Sequence, residues 1–267
     1  MVAEMIKRVA VWVLLVMVAV SLPACVSHTE GGFGSDVDRE EAEKAYVRLA
    51  LAYIQDERYA RARQHLDRAL EINSESAPAI AAKALINQEQ GEDDLAEQRF
   101  RRALDLDPDY TRGRSHYGVF LYNRQRYEEA FKQFQQASRN TDFEDRAGIF
   151  VNMGRSADQL GRYGEAAEAY RRAMQVDRGN PRAHFGAVNA LVEAGRYEQA
   201  RPLFERLKQR IRRSEQVSHT PRSLWAGIRI ARRQGDRDEE ASLALQLRKR
   251  FPNSEEHRKY RSLKADE

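Results

Sequence analysis

One cysteine, Cys25, stands in 267 residues, so no intramolecular disulfide framework and no multi-cysteine zinc site is open to this chain. The 6 histidines are scattered, and none has the convergent spacing that metal ligation needs. No Gly-rich phosphate loop, HExxH, GxSxG or catalytic carboxylate pair occurs. The expectation is therefore a protein that is not an enzyme, with no cofactor, no metal and no small-molecule substrate. Charge of one sign is also missing: 45 basic residues meet 41 acidic ones, a net of +4. Such a mixed surface has no basic block of the kind that tracks phosphates, so no nucleic-acid partner is expected. Proline (7) and glycine (15) are few enough to serve as punctuation, while 42% hydrophobic content suffices for a continuous core.

What is present is a repeat. Ala62, Ala96, Ala130, Ala166 and Ala200 recur at steps of 34, 34, 36 and 34 residues. Four positions on from each come Leu66, Phe100, Phe134, Tyr170 and Phe204, and three further Ala69, Ala103, Ala137, Ala173 and Leu207. Spacings of three and four put the small residue, the large side chain and the next small residue on one helix face. The small residues let a preceding helix approach, and the large side chain fills the gap beside it. That preceding helix carries Ala50, Ala84, Gly118 and Gly154 near the crossing, with Val188 and Ile228 in the last two units, which should therefore pack less tightly. Gly91, Gly161, Gly195 and Gly235 mark turns between paired helices; Pro108, Pro181 and Pro252 mark breaks between units. The pattern resembles the tetratricopeptide repeat. It implies an all-α, right-handed superhelical solenoid of about six repeats, at 43–76, 77–110, 111–144, 147–180, 181–214 and 221–254. Tyr46, Leu49 and Tyr53 read as the buried stripe of the first helix, and a polar C-terminal cap takes 255–267. The sixth unit is degenerate, with Glu240 at the Ala position and Ala244 at the ring position, where Trp225 is expected to supply the bulk.

Before the repeats, Lys7 and Arg8 precede an apolar run from Val9 to Val20, and small residues lead up to Cys25. The run is short for a spanning helix, which needs about 20 apolar residues, and reads as a signal peptide over 1–24. Leu22-Pro23-Ala24-Cys25 resembles a bacterial lipobox, which implies lipidation of Cys25 and an anchor in a membrane. With Val26 after the cysteine, the sorting rule of such lipoproteins points to the periplasmic face of the outer membrane. Residues 25–42 then read as lipidated N-terminus and flexible tether.

In tetratricopeptide solenoids the second, fifth, ninth and twelfth positions of each unit line the concave surface. In the first three units these include Val47, Leu51, Ile54, Ala81, Leu85, Val119 and Tyr122, an apolar set on a wet face. Val47, Leu51, Ile54, Leu85, Val119 and Tyr122 are the candidate protein-binding groove; the alternative is that tight curling buries them against one another. In the last three units the set is mixed and mostly basic: Arg155, Asp158, Arg182, Phe185, Asn189, Trp225, Arg229 and Arg232. The runs Arg210–Arg213 and Arg229–Arg233 read either as a solvated face or as a site for an acidic partner. The acidic clusters Glu92–Asp94 and Asp236–Glu240 read as helix-start charges.

Lipobox, tether, six helical hairpins and the segments HYGVFLYNRQRYEEA and SLWAGIRIARRQGDRDEEASLALQLRKRFPNS together resemble the PilF/PilW family of type IV pilus biogenesis lipoproteins. The resemblance implies an outer-membrane pilotin that binds the pilus secretin and promotes its localisation and assembly. A general periplasmic scaffold for another envelope system stays open beside it.

Overall fold

The computed structural model describes residues 36–214 and 216–265, and the described residues fold into helices without strands. In chain order these are α1 (Asp36–Gln55), α2 (Tyr59–Ile72), α3 (Ala77–Glu89), α4 (Asp93–Leu106), α5 (Thr111–Asn123), α6 (Tyr127–Ala137), α7 (Arg146–Gln159), α8 (Tyr163–Val176), α9 (Pro181–Glu193), α10 (Tyr197–Arg213), α11 (Pro221–Gln234), α12 (Arg237–Arg250) and α13 (Glu255–Ala265). The chain divides after residue 41, and the six hairpins, from residue 42 of α1 onward, lie in one compact unit. Odd-numbered helices through α11 are the first (A) helices of the hairpins and even-numbered ones the second (B) helices. Cys25 and the segment 1–35 lie outside the described residues.

The repeat register holds in atomic terms. Ala62, Ala96, Ala130, Ala166 and Ala200 are all fully buried, and so, within a few percent, are Leu66, Phe100, Phe134, Tyr170 and Phe204. Burying a side chain of the latter size contributes about 1.5–3 kcal/mol. Each A-to-B turn passes through a left-handed residue at the same place in its unit: Glu57, Gly91, Gln125, Gly161, Gly195 and Gly235 all have φ between 58° and 76°. In units one and three a side chain bears that conformation, which glycine adopts without the Cβ penalty.

A-helices of successive units touch from α3 through α11, whereas no contact joins successive B-helices among the described residues. Helices in mutual contact lie on the inside of a curved stack, so the A-helices form the concave face. Close approach is bought with glycine. A Cβ on Gly118 would fall 2.8 Å from the Phe134 ring, and one on Gly154 2.9 Å from Tyr170. The last two units do not pack more loosely, contrary to expectation. Val188 and Ile228 are fully buried, and the close approach moves to the preceding unit's ring: Gly186 lies against Tyr170 and Gly227 against Phe204. In unit six Leu243 packs beneath Gly227, which supplies bulk beside the small Ala244. Trp225 is only partly buried against the core.

Two further expectations are revised. The helix starts at Asp36, so residues 36–42, expected in the tether, are helical. Asp36 and Asp38 in the first turn favour the positive end of the helix dipole, and DREEAEKA is a strong helix-forming stretch. Leu49 is 47% exposed, and the buried stripe of α1 is Glu43, Val47 and Ala50. Glu43 accepts hydrogen bonds from Ser76 Oγ at 2.6 Å and Asn73 Nδ2 at 3.2 Å, tying α1 to the turn that opens unit two. Glu240 lies in the first turn of α12 with Asp238 and Glu239, as expected of helix-start charges, and has a second role. Asp236 caps the helix, accepting from the Glu239 amide at 2.9 Å, while buried Glu240 pairs with Arg232 at 3.0 Å and with Lys264 of the cap helix at 3.3 Å. The carboxylate at the Ala position thus joins the last hairpin to α13.

Candidate partner-binding face

The six candidate groove residues separate. Val47 is 6% exposed and belongs to a core cluster with Ala50, Leu66, Ala69 and Ile86, so it is not part of a solvent-reachable groove. Ala81, at the same position of unit two, is also buried. In units one and two the fifth position of the A-helix is buried, filled by Val47 and Ala81, whereas Phe185 and Trp225 at the same position of units five and six are only partly buried. Leu51, Ile54, Leu85, Val119 and Tyr122 are partly accessible and pack at the edge of the two core clusters. They sit at the ninth and twelfth positions, which face the hollow. Tyr122 meets Tyr127 edge-on at 5.2 Å between ring centroids, and the Arg155 guanidinium lies 4.5 Å above the Tyr122 ring. Arg155 belongs to unit four, so a cation closes the apolar stretch at its junction with the second half.

The second half is not a free basic surface. Arg222 Nη1 of α11 reaches across the intervening α9 to Asp158 Oδ2 of α7 at 3.6 Å. Arg229 meets Glu193 at 2.9 Å and donates to Tyr197 Oη at 3.1 Å and the Val192 carbonyl at 3.3 Å. Arg210 donates to the Gly179 carbonyl, which ties the end of α10 to the loop after α8. Arg212 and Arg213 are exposed, in keeping with a solvated face.

Asp158 deserves its own geometry. Its side chain is 6% accessible, its Oδ2 accepts from Tyr170 Oη at 3.1 Å, and its Oδ1 has no partner. Burial pushes its carboxyl above the usual range and the nearby Glu193 charge adds to that, while Arg222 and the Tyr170 hydroxyl oppose it. The Tyr170 hydroxyl is raised in turn by burial and by Asp158. Tyr170 is the one tyrosine among the ring positions, the others being Leu or Phe in units one to five and Ala244 in unit six. A hydroxyl substituted into an otherwise apolar series was the available signal that a polar partner waits on the concave side. It was missed.

His65 and His219 have structural roles. His65 stacks between Tyr46 and Tyr53 at centroid distances of 6.0 and 5.3 Å. His219, in the short polar insertion before unit six, is buried, packs against Phe204 and shares a 3.1 Å contact with Ser223 Oγ. Burial, with the Arg250 and Lys208 charges, lowers it to about 4. Among the described residues no cluster of His, Cys, Asp and Glu has metal-binding geometry, and no helix is long and apolar enough to cross a membrane.

Tetratricopeptide-repeat models match residues 43–76, 82–145 and 159–219. The type IV pilus assembly protein PilF of Pseudomonas aeruginosa is 33% identical over 252 residues, 94% of this chain and 98% of that protein. The chain belongs to the PilF family. The solved structure of Pseudomonas aeruginosa PilF matches with a TM-score of 0.69, over 84% of this chain and 98% of that one. PilW, a widely conserved type IV pilus biogenesis factor, matches with a TM-score of 0.62 at 24% identity, over 82% of this chain and 98% of that one. The second likeness speaks to the fold alone. A PilF-family fold with an inner face of A-helices suits the holding of another polypeptide.

Proposed function

We propose that this chain acts in type IV pilus biogenesis as a pilotin: a lipoprotein anchored through Cys25 at the periplasmic face of the outer membrane, which binds the pilus secretin and promotes its localisation and assembly. The observation that carries the reading is the match to PilF along 98% of that protein, with the family's repeat architecture intact. Supporting it, Cys25 is the chain's only cysteine and follows an apolar run, which suits a thiol used for acylation, where each buried methylene contributes ~0.8 kcal/mol. The secretin segment lies along Leu51, Ile54, Leu85, Val119 and Tyr122, which are large apolar groups left partly accessible on an inner face.

The test is affinity capture of the tagged full-length chain from solubilised envelopes, run beside Cys25→Ser. Capture of the secretin by the wild type, with labelled fatty acid entering the wild type and not the variant, is the expected result. A secretin absent from the capture contradicts the partner; undiminished outer-membrane fractionation of Cys25→Ser contradicts the anchor.

A further inference from the structure

The cap helix keeps the beat of the repeat. Glu255, the first residue of α13, follows Pro221, the first of α11, by 34 residues, and α13 touches α11 as successive A-helices touch elsewhere. It therefore stands where the A-helix of a seventh unit would stand. In unit six this register places Leu224, Gly227, Ile228 and Ala231 on the face of α11 that its B-helix covers, and all four are buried. One period on, the same face of α13 carries Arg258, Arg261, Ser262 and Ala265, all exposed. Two of these are small residues, the type that lets another helix approach closely.

α12 carries a matching exception. Five residues after the Ala position, units one to five place Asp67, Arg101, Gln135, Arg171 and Glu205, whereas unit six places Leu245, which is 41% exposed. Glu240 near the start of α12 pairs with Lys264 near the end of α13 at 3.3 Å, so the two helices run antiparallel. Between them lies an open cleft of about 800 Å³. Ala241, Ala244, Leu245 and Arg248 line it from α12, and Tyr260, Arg261, Lys264 and Ala265 from α13. Spacings of three and four make each set a single stripe along its helix. Lys264 already answers Glu240, but Arg248 and Arg261 meet no carboxylate among the described residues that line the cleft.

We propose that the cleft between α12 and α13 docks an acidic amphipathic helix of a partner protein. A helix laid there packs on α13 as each B-helix packs on its A-helix, with an apolar stripe covering Leu245 and the alanines. Acidic side chains flanking that stripe answer Arg248 and Arg261, which an uncharged helix would desolvate without a partner. A small anion would meet the cations and leave the apolar lining in water. A flat lipid surface would meet them without entering a cleft between two helices. The site lies at the C-terminal end of the solenoid and is independent of the reading of the concave face.

The test pans a phage library of displayed single helices, randomised on one face, on the full-length chain in detergent and in parallel on Leu245→Gln and Arg261→Glu. Both positions are exposed, and Gln is what unit three carries at the counterpart of Leu245, so both variants should melt as the wild type does. The wild type should enrich helices whose apolar stripe is flanked by Asp and Glu, and these should bind each variant about tenfold more weakly. Arg248→Glu combined with Arg261→Glu should enrich Lys-flanked helices instead, an inversion that loss of structure cannot produce. No enrichment on the wild type, enriched helices without acidic flanks, or equal binding to Leu245→Gln overturns the proposal. So does a much lower melting temperature for Leu245→Gln, which would place Leu245 in the core. If phosphatidylglycerol doped into the micelles binds through Arg261 while no helix enriches, the occupant is a lipid surface. If sedimentation shows a dimer that Leu245→Gln dissolves, it is a second copy of this chain, and either result overturns the proposal.

Discussion

In units one to three the ninth and twelfth positions of the A-helices carry Leu51, Ile54, Leu85, Val119 and Tyr122, with Gln88 the exception; in units four to six they carry Arg155, Asp158, Asn189, Val192, Arg229 and Arg232. The hairpin plan is the same in both halves, down to the left-handed residue in every A-to-B turn. What differs is how the face is satisfied. The first half leaves apolar groups half-open, which is a cost in water and an asset against a partner. The second half binds its cations internally, Arg222 to Asp158, Arg229 to Glu193 and Arg232 to Glu240. One scaffold thus presents two chemistries, divided where Arg155 lies over Tyr122.

The largest expected effect attacks what the halves have in common. Gly118→Leu drives a side chain into the Phe134 ring, and Gly154→Leu does the same to Tyr170. Overpacking typically costs ~1–3 kcal/mol, and it should spread to neighbouring units. Both variants should melt several degrees lower; an unchanged melting temperature for Gly118→Leu would mean the packing register is misplaced.

A second test uses pH on the latter half. His219 titrates at about 4 in the folded chain against about 6.5 when unfolded, so the unfolded state takes up the proton first as pH falls. The stability that depends on neutral His219 is complete above about pH 6.5 and is lost as pH drops toward 4. Melting curves across that window should slope downward more steeply for the wild type than for His219→Gln. Equal slopes would remove His219 from the account.

Asp158→Asn sharpens the comparison directly. A carboxyl raised by burial costs stability once ionised, so replacing it by the neutral amide should raise the melting temperature at pH 7. The gain should vanish at acid pH, where Asp158 is itself protonated. A lower melting temperature at pH 7 would show that Arg222 outweighs the desolvation.

Smaller still, Glu57→Gly and Gln125→Gly relieve a left-handed backbone in units one and three, with φ of 58° and 60°. Each should stabilise by up to about 1 kcal/mol, the steric relief exceeding the entropy glycine adds to the unfolded chain. Destabilisation by either would show that the side chain makes a contact worth more than the strain.

The hairpin register was legible because packing dictates it: a residue at a helix crossing must be small, and the site beside it must be filled. Gly91, Gly161, Gly195 and Gly235 announced their turns, whereas Glu57 and Gln125 gave no sign, since the fold imposes the left-handed conformation on them. Leu49 misled because it continues the stripe of Tyr46 and Tyr53, which do pack, half-buried, against the first core cluster, while Leu49 itself is exposed. The centre of the buried face falls on Val47 and Ala50, and the position of α2 decides that. The start of α1 at Asp36 rests on propensity and terminal charge, which leave no apolar periodicity to read. Asp158 with Arg222 was illegible for another reason: the pair joins units two apart, and its existence depends on how tightly the A-helices stack.

The account rests most heavily on the accessible apolar half of the concave face being where the partner binds. The measurement that reaches it is the affinity of the captured secretin for wild type and Leu51→Glu, with thermal melting of both. A carboxylate at Leu51 sets an unpaired charge against apolar surface only in the complex, so affinity should fall by tenfold or more while melting changes little. Unchanged affinity with normal melting would contradict the groove. Collapse of the fold would place Leu51 in the core instead.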